Sequence, residues 1–371
     1  MRIKCKKSDL SAGINTVSKA VSSKTTMPIL QCILVEAEGG RIKLIANDLE
    51  LGIETYIDGT ILEEGKIALE AKFFSDIVRK LPESEIDIET NSDYKTTVYC
   101  EKTKAVVPCR SGEDFSYLPT IEKEKSITIS QMTLRDIIRQ TIFSISDNEN
   151  TRLMTGEYFS VKDNNLSVVS LDGHRISIRN IALKNDNPDV SVVIPGKTLQ
   201  EISKILNGGI DDEVSIFFSD NHVLFEFGDT RVVSRLIDGE YFKISQMLSI
   251  DYKIVVKANK KDLMAIIDRA SIFIQETDKK PIVVSVKNDN NMYLRVDTNI
   301  GSLNEELEIS KEGEEIIIGF NPKFLMDALR VIDDETVNIY MYDSKSPCVI
   351  KDAEESYLYI ILPININTSI Y

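Results

Sequence analysis

An eleven-residue segment occurs three times along the chain at near-equal intervals, as Ala71 to Leu81, Gly196 to Leu206 and Pro322 to Ile332, with offsets of 125 and 126 residues. In each copy a Lys opens the segment, an acid follows four residues later and a second base three beyond that, while apolar residues take the i, i+3, i+7 positions of one helical face. A second apolar stripe precedes each copy, at Leu10, Ile14 and Val17, at Leu134, Ile138 and Thr141, and at Leu263, Ile267 and Ala270. A period near one third of the length means one supersecondary unit built three times, which leaves few folds open.

Between the helical segments lie β-branched runs such as Arg41 to Ala46, Leu166 to Ser170 and Met292 to Val296, bounded by turn residues. The junctions Gly112-Glu113-Asp114-Phe115 and Gly239-Glu240-Tyr241-Phe242 lie 127 residues apart and close the first two thirds. The expected fold is therefore α+β: three repeated domains, 1–122, 123–250 and 251–371, each with two helices packed on antiparallel sheets. At 371 residues the chain is too long for one ordinary domain, in keeping with this division.

Charge follows the same elements. Six helical segments, 8–21, 71–81, 131–145, 196–207, 260–273 and 322–332, hold 13 basic residues against 7 acidic ones, although the whole chain carries −15. A basic bias on five of these six helices of an acidic chain, the first being balanced, suits a polyanion held loosely through its phosphates, without base readout. Lys19, Arg79, Arg139, Lys204, Arg269 and Arg330 are the residues expected to face such a polyanion, with Lys24 in the polar loop before Met27-Pro28 added to them.

Other chemistries find little support. Five cysteines form no CxxC pair, and His174 and His222 are the only imidazoles, so no metal centre, disulfide framework or cofactor is expected. His174 lies between Asp172 and Arg175 without a nucleophile motif nearby, and His222 is expected in an exposed turn. Asp48 and Asp172 occupy equivalent repeat positions and are expected to cap turns. The basic N-terminus lacks a signal-peptide core and the longest apolar stretch, Leu358 to Ile364, is too short to span a membrane, so a cytoplasmic location without membrane contact is expected.

Six stretches in order carry a resemblance that covers the whole chain: Met27-Pro28-Ile29-Leu30, Ser170 to Arg175, Val193 to Lys197, Leu236 to Gly239, Ile318 to Asn321 and Ile360 to Ile364. The chain closely resembles the bacterial sliding clamps, the β subunits of DNA polymerase III. The resemblance implies a non-catalytic processivity factor, a homodimer whose six domains close head to tail into a ring around duplex DNA. Retention would be topological and independent of base sequence.

It also implies a pocket where DNA polymerase, the clamp loader and repair proteins dock a clamp-binding segment. Carried over by motif, its residues are Met154, Leu171, Gly173, His174, Arg175, Ile176, Asn321, Phe324, Pro347, Ile361, Leu362, Pro363 and Ile364, with Phe242, Gln246 and Met247 on the rim. The rim departs from the family pattern: Tyr241-Phe242-Lys243-Ile244 stands where a Phe-Pro-Asp-Tyr sequence is usual, and Asn365 where a basic residue is common. Two readings compete with this one. A Mg²⁺-dependent hydrolase or nuclease would need a carboxylate cluster, and no paired acid motif or Gly-rich phosphate loop is apparent. A scaffold unrelated to DNA would keep the pocket but leave the basic helices unexplained.

Overall fold

The computed structural model describes residues 1–22, 24–184, 187–244, 251–274 and 280–366. The repeat appears as six α-helices: α1 (Lys7–Val17), α2 (Ala71–Lys80), α3 (Gln131–Thr141), α4 (Gly196–Ile205), α5 (Lys260–Ser271) and α6 (Pro322–Val331). Five start directly after a strand and α6 one residue after, and where a side chain caps the start it does so by accepting the free N–H groups of the first turn. Glu70 takes those of Lys72 and Phe73, Asn259 that of Asp262, and Asn321 that of Lys323. The stripes read from the sequence are the buried faces, with Leu10, Ile14 and Val17 on α1 and Leu263, Ile267 and Ala270 on α5 all buried.

The chain packs as two compact units, and these do not follow the thirds of the sequence. One holds Met1–Leu134 with Lys197–Leu236, the other Arg135–Gly196 with Ile237–Tyr371. In the first unit thirteen strands form one hydrogen-bonded series, from Lys125–Ser130 at one end to Thr60–Glu63 at the other. In the second, nine strands run from Val190–Pro195 to Ser310–Gly313, and a separate set of four ends at Gly301–Glu308 and Ile316–Phe320.

Both long sheets are continuous because one repeat's last strand pairs with the fourth strand of the repeat before it. In the first unit Thr230–Arg235 runs antiparallel to Leu51–Ile57, with Ser234 opposite Leu51 and Thr230 opposite Thr55. In the second, Tyr357–Ile361 pairs in the same way with Arg175–Ala182, with Ile361 opposite Arg175. Gly301–Glu308 is the third copy of that acceptor strand and bonds only Asn291–Thr298 among the described residues. Thr103–Ser111, the last strand of the first repeat, bonds Lys95–Cys100 through residues 103–108, while its other edge meets a neighbour only at 109–111.

The interiors are mostly apolar, and the charged side chains buried in them are Glu54, Glu157 and Arg175. Glu157, on the strand Gly156–Lys162, is fully buried and occupies the register position taken by Ile33 and Ile282 in the other repeats, both equally buried. No described helix is long and apolar enough to cross a membrane.

Candidate peptide site and basic recess

The Asp172 turn organises the first site, which lies within the second unit. Asp172 Oδ1 accepts the N–H groups of His174 and Arg175 at 2.9 and 3.1 Å, and Gly173 between them sits at φ +89°, a conformation that costs glycine little. The turn delivers Arg175 into the interior, where it is 7% exposed. Its guanidinium donates to Asp172 Oδ2 at 3.0 Å, to Asp327 Oδ2 at 2.7 Å and to the Phe143 carbonyl. A buried cation so saturated is fixed in place, and it lies 4.6 Å above the Phe324 ring and 5.4 Å from that of Phe143. The His174 ring faces the same phenyl, 6.2 Å away and 21° from parallel. Both oxygens of Asp172 are thereby engaged with the turn and Arg175, which is not the arrangement of a carboxylate orienting a catalytic histidine.

The end of the chain closes the same place. Ile361 pairs with Arg175, the Leu362 N–H donates to the His174 carbonyl at 2.9 Å, and the Ile364 N–H donates to the Gly319 carbonyl at 2.8 Å. This holds Pro363 half-buried between two tethers and leaves the Leu362 side chain 42% exposed. Asn321 caps α6, which carries Phe324 and Asp327. Leu171 and Ile176 are buried in one apolar cluster with Tyr241, and the half-buried Met154 packs against it. Phe242 is exposed and meets this cluster edge-on through Tyr241, which in turn stacks on Tyr158 at 4.8 Å. Pro347 is half-buried and precedes Cys348, the strand partner of Ile361. Gln246 and Met247 lie outside the described residues.

The basic residues divide differently from the sequence expectation. Lys19, Lys24 and Lys204 line one polar recess of about 580 Å³ in the first unit, together with Lys197, Asp48 and Glu201. Lys197 pairs with Asp48 at 2.7 Å and Lys204 with Glu201 at 2.8 Å, which leaves a net positive lining from Lys19 and Lys24. Lys197 is absent from the sequence-based set, although it opens the second copy of the repeat, and that position was the available signal.

Arg79 is exposed on α2 and pairs with Asp76 at 2.6 Å. In the second unit Arg269 pairs with Glu305 at 2.6 Å, and Arg330 stands 3.9 Å from Asp327. Arg139 is only partly exposed and donates to Asp333 at 2.8 Å and to the Val331 carbonyl at 3.1 Å, so it ties α3 to the residues after α6. His222 differs from the expected exposed turn: it opens the strand His222–Phe227, is half-buried, and is held below the ordinary histidine range by burial and by Arg235. Asp48 caps its turn as expected, accepting the N–H groups of Glu50 and Leu51 at 3.1 and 2.7 Å. No group of three or more His, Cys, Asp or Glu side chains able to hold a metal occurs among the described residues.

Three family models cover almost all of the chain. They are the DNA polymerase III β subunit N-terminal domain over residues 1–119, the central domain over 128–243 and the C-terminal domain over 245–365. The β sliding clamp of Staphylococcus epidermidis is 32% identical over 361 residues, covering 95% of this chain and 96% of that protein. The crystal structure of the DNA polymerase sliding clamp from Bacillus subtilis superposes with a TM-score of 0.95 at 31% identity, covering 99% of this chain and 100% of that one. A crystal structure from Eubacterium rectale gives the same TM-score at 57% identity, with 99% and 100% covered. With the three consecutive domains, the repeated strand pairing and relatives matched from end to end, the chain belongs to the β sliding clamp family, the non-catalytic processivity subunits of DNA polymerase III.

Proposed function

We propose that two copies of this chain, each with domains 1–122, 123–250 and 251–371, close head to tail into a ring around duplex DNA in the cytoplasm. The observation that carries this reading is the strand pairing between successive repeats. It is made twice within the chain, and the two edges that would make it a third time, Thr103–Pro108 and Gly301–Glu308, lack that partner among the described residues. Exposed edges invite pairing with another chain. Val106 on the donor strand and Ile300 beside the acceptor are 55% and 57% exposed, and Ile272 just past α5 is 73% exposed. Lys104 and Arg110 lie on the donor strand and Lys102 just before it, while Glu305, Glu306 and Glu308 lie on the acceptor.

Transferring the register of the two internal junctions places Val106 opposite Ser302 of a second copy and Thr103 opposite Glu305. Val106→Cys combined with Ser302→Cys is then expected to form a covalent dimer on mild oxidation, and each single variant is not. A monomeric mass at micromolar concentration, with no crosslink beyond the single variants, would overturn the ring.

DNA is held within such a ring by closure, so the basic recess together with Arg79, Arg269 and Arg330 acts through weak phosphate contacts that permit sliding. We further infer that the site around Phe324, His174 and Leu362 receives short segments of DNA polymerase, clamp loader and repair proteins. An exposed apolar rim over a ring fixed by Arg175 suits an apolar anchor side chain.

A further inference from the structure

The repeat that builds the peptide site also builds a second cleft, in the first unit, and its chemistry is different. At Asp48 the chain makes the same turn as at Asp172, and the Arg235 N–H donates to the Glu50 carbonyl at 2.9 Å just as that of Leu362 donates to His174. Between the turn and the residues after Ser116 lies a cleft of about 150 Å³, close to the size of an engineered apolar cavity that holds one benzene ring. Gly52 stands where Ile176 stands in the first site. A Cβ there would come 1.9 Å from Leu118 Cδ2, so the missing side chain lets Leu118 form an apolar floor.

The turn itself carries an unusual residue. Leu49 is at φ +76° in the position of Gly173, a conformation that costs a leucine about 1–2 kcal/mol, and its side chain is 50% exposed. Tyr117, 45% exposed, lines the same cleft and is fixed by donating its hydroxyl to Glu36 at 2.7 Å. A strained apolar residue held outward beside a fixed aromatic ring is arranged for contact with something outside the chain.

Charge narrows the choice of occupant. The Arg235 guanidinium is half-exposed and stands 3.8 Å from Glu50, beyond hydrogen-bond reach. His222 lies directly across from Arg235 in the strand pairing and lines the cleft with it. A carboxylate entering this corner meets one loosely held cation and a second N–H donor. We propose that the cleft is a second docking site, taking an extended peptide segment of a partner protein whose apolar side chain seats against Leu49 and Leu118 and whose acidic side chain pairs with Arg235. This rests on the reading of the Phe324 site as a peptide site, since the two share one backbone frame. Their preferences differ, because the buried cation Arg175 is replaced by Leu51 and the cation moves to the rim.

The test uses fluorescein-labelled Gly-Leu-Phe-Asp-Gly and the full-length protein in four forms: wild type, Phe324→Ala with Leu362→Asp to disable the first site, and that double variant with either Leu49→Gly or Arg235→Gln added. Leu49→Gly keeps the turn, since glycine adopts its φ freely, and Arg235→Gln alters only a surface group. Anisotropy titration is expected to show binding that survives the double variant and weakens tenfold or more with either addition. The Asn version of the peptide is expected to bind the double variant as weakly as the Asp version binds the Arg235→Gln protein. Binding abolished by the double variant alone would overturn the second site and leave the first standing. Binding untouched by the double variant but lost with Leu49→Gly would sustain the second site against the first, and no binding to wild type would overturn both.

Discussion

Glu157 sets a measurable dependence of stability on pH. Its carboxyl oxygens are fully buried without a hydrogen-bond partner among the described residues; the nearby Thr141 hydroxyl donates instead to the Ile137 carbonyl at 2.8 Å. Burial pushes the carboxyl up to about 8 from an ordinary value of 4.5, because the charged form has lost water and the neighbouring Thr141 hydroxyl offsets only part of that loss. The acid is therefore neutral in the folded protein and ionised in the unfolded chain over that interval. A folded state that holds the extra proton loses stability as pH rises from about 4.5 to about 8, by about 1.4 kcal/mol per unit, and the loss levels off above. Between pH 5.5 and 8 this amounts to about 3 kcal/mol. Glu157→Gln keeps the shape and removes the titration, so its stability relative to wild type should rise by about 3 kcal/mol between pH 5.5 and pH 8. Glu157→Ile, which restores the residue of the other repeats, should show the same pH trend. Urea unfolding at half-unit pH steps gives the comparison directly. A difference between wild type and Glu157→Gln that stays within about 0.5 kcal/mol across the range would refute the buried, protonated carboxyl.

Asp327→Ala strips the buried Arg175 of one of its two carboxylates and is expected to cost about 3 kcal/mol of stability, and also to weaken anchor peptides by freeing the Phe324 ring; unchanged peptide affinity in the folded variant would show that Arg175 does not position the site. Lys24→Glu with Lys197→Glu is expected to lower the slope of log affinity against log salt for a short duplex by about 2, and an unchanged slope would remove the recess from the DNA path. Arg139→Ala, by contrast, is expected to lower the unfolding midpoint without altering that slope, since its guanidinium is engaged with Asp333 and Val331; a changed slope with an unchanged midpoint would return it to the DNA-facing set.

Local pattern and long-range placement were unequally legible in the sequence. The six helices lie where the apolar stripes put them, because a 3.6-residue period is written into consecutive residues and each buried face needs only its own sheet beneath it. The Asp48 and Asp172 turns were readable for the same reason, since an Asx turn closes over three residues. Partnerships across the chain were not. Nothing near Arg139 announces Asp333, 194 residues away, and nothing near Lys197 announces Asp48, 149 residues away. Glu157 is a sharper case, because an acid early in a strand reads as part of a wet face until the packing around it is known. His222 misled in the other direction: its Asp-Asn neighbours signal a turn, and the turn ends one residue before it.

The interleaving of the repeats bears on how such a chain can be cut and recombined. The central third donates Thr230–Arg235 to the sheet of one unit and Arg175–Ala182 to the sheet of the other, so a fragment excised at residues 122 and 250 would carry two raw strand edges and leave one on each remaining piece. Chimeras that exchange the central third between relatives must match two strand junctions at once, whereas an exchange confined to residues 135–196 together with 237–371 preserves every ladder described. The three copies are thus marked in sequence thirds, whereas the hydrogen-bonded sheets follow a different partition.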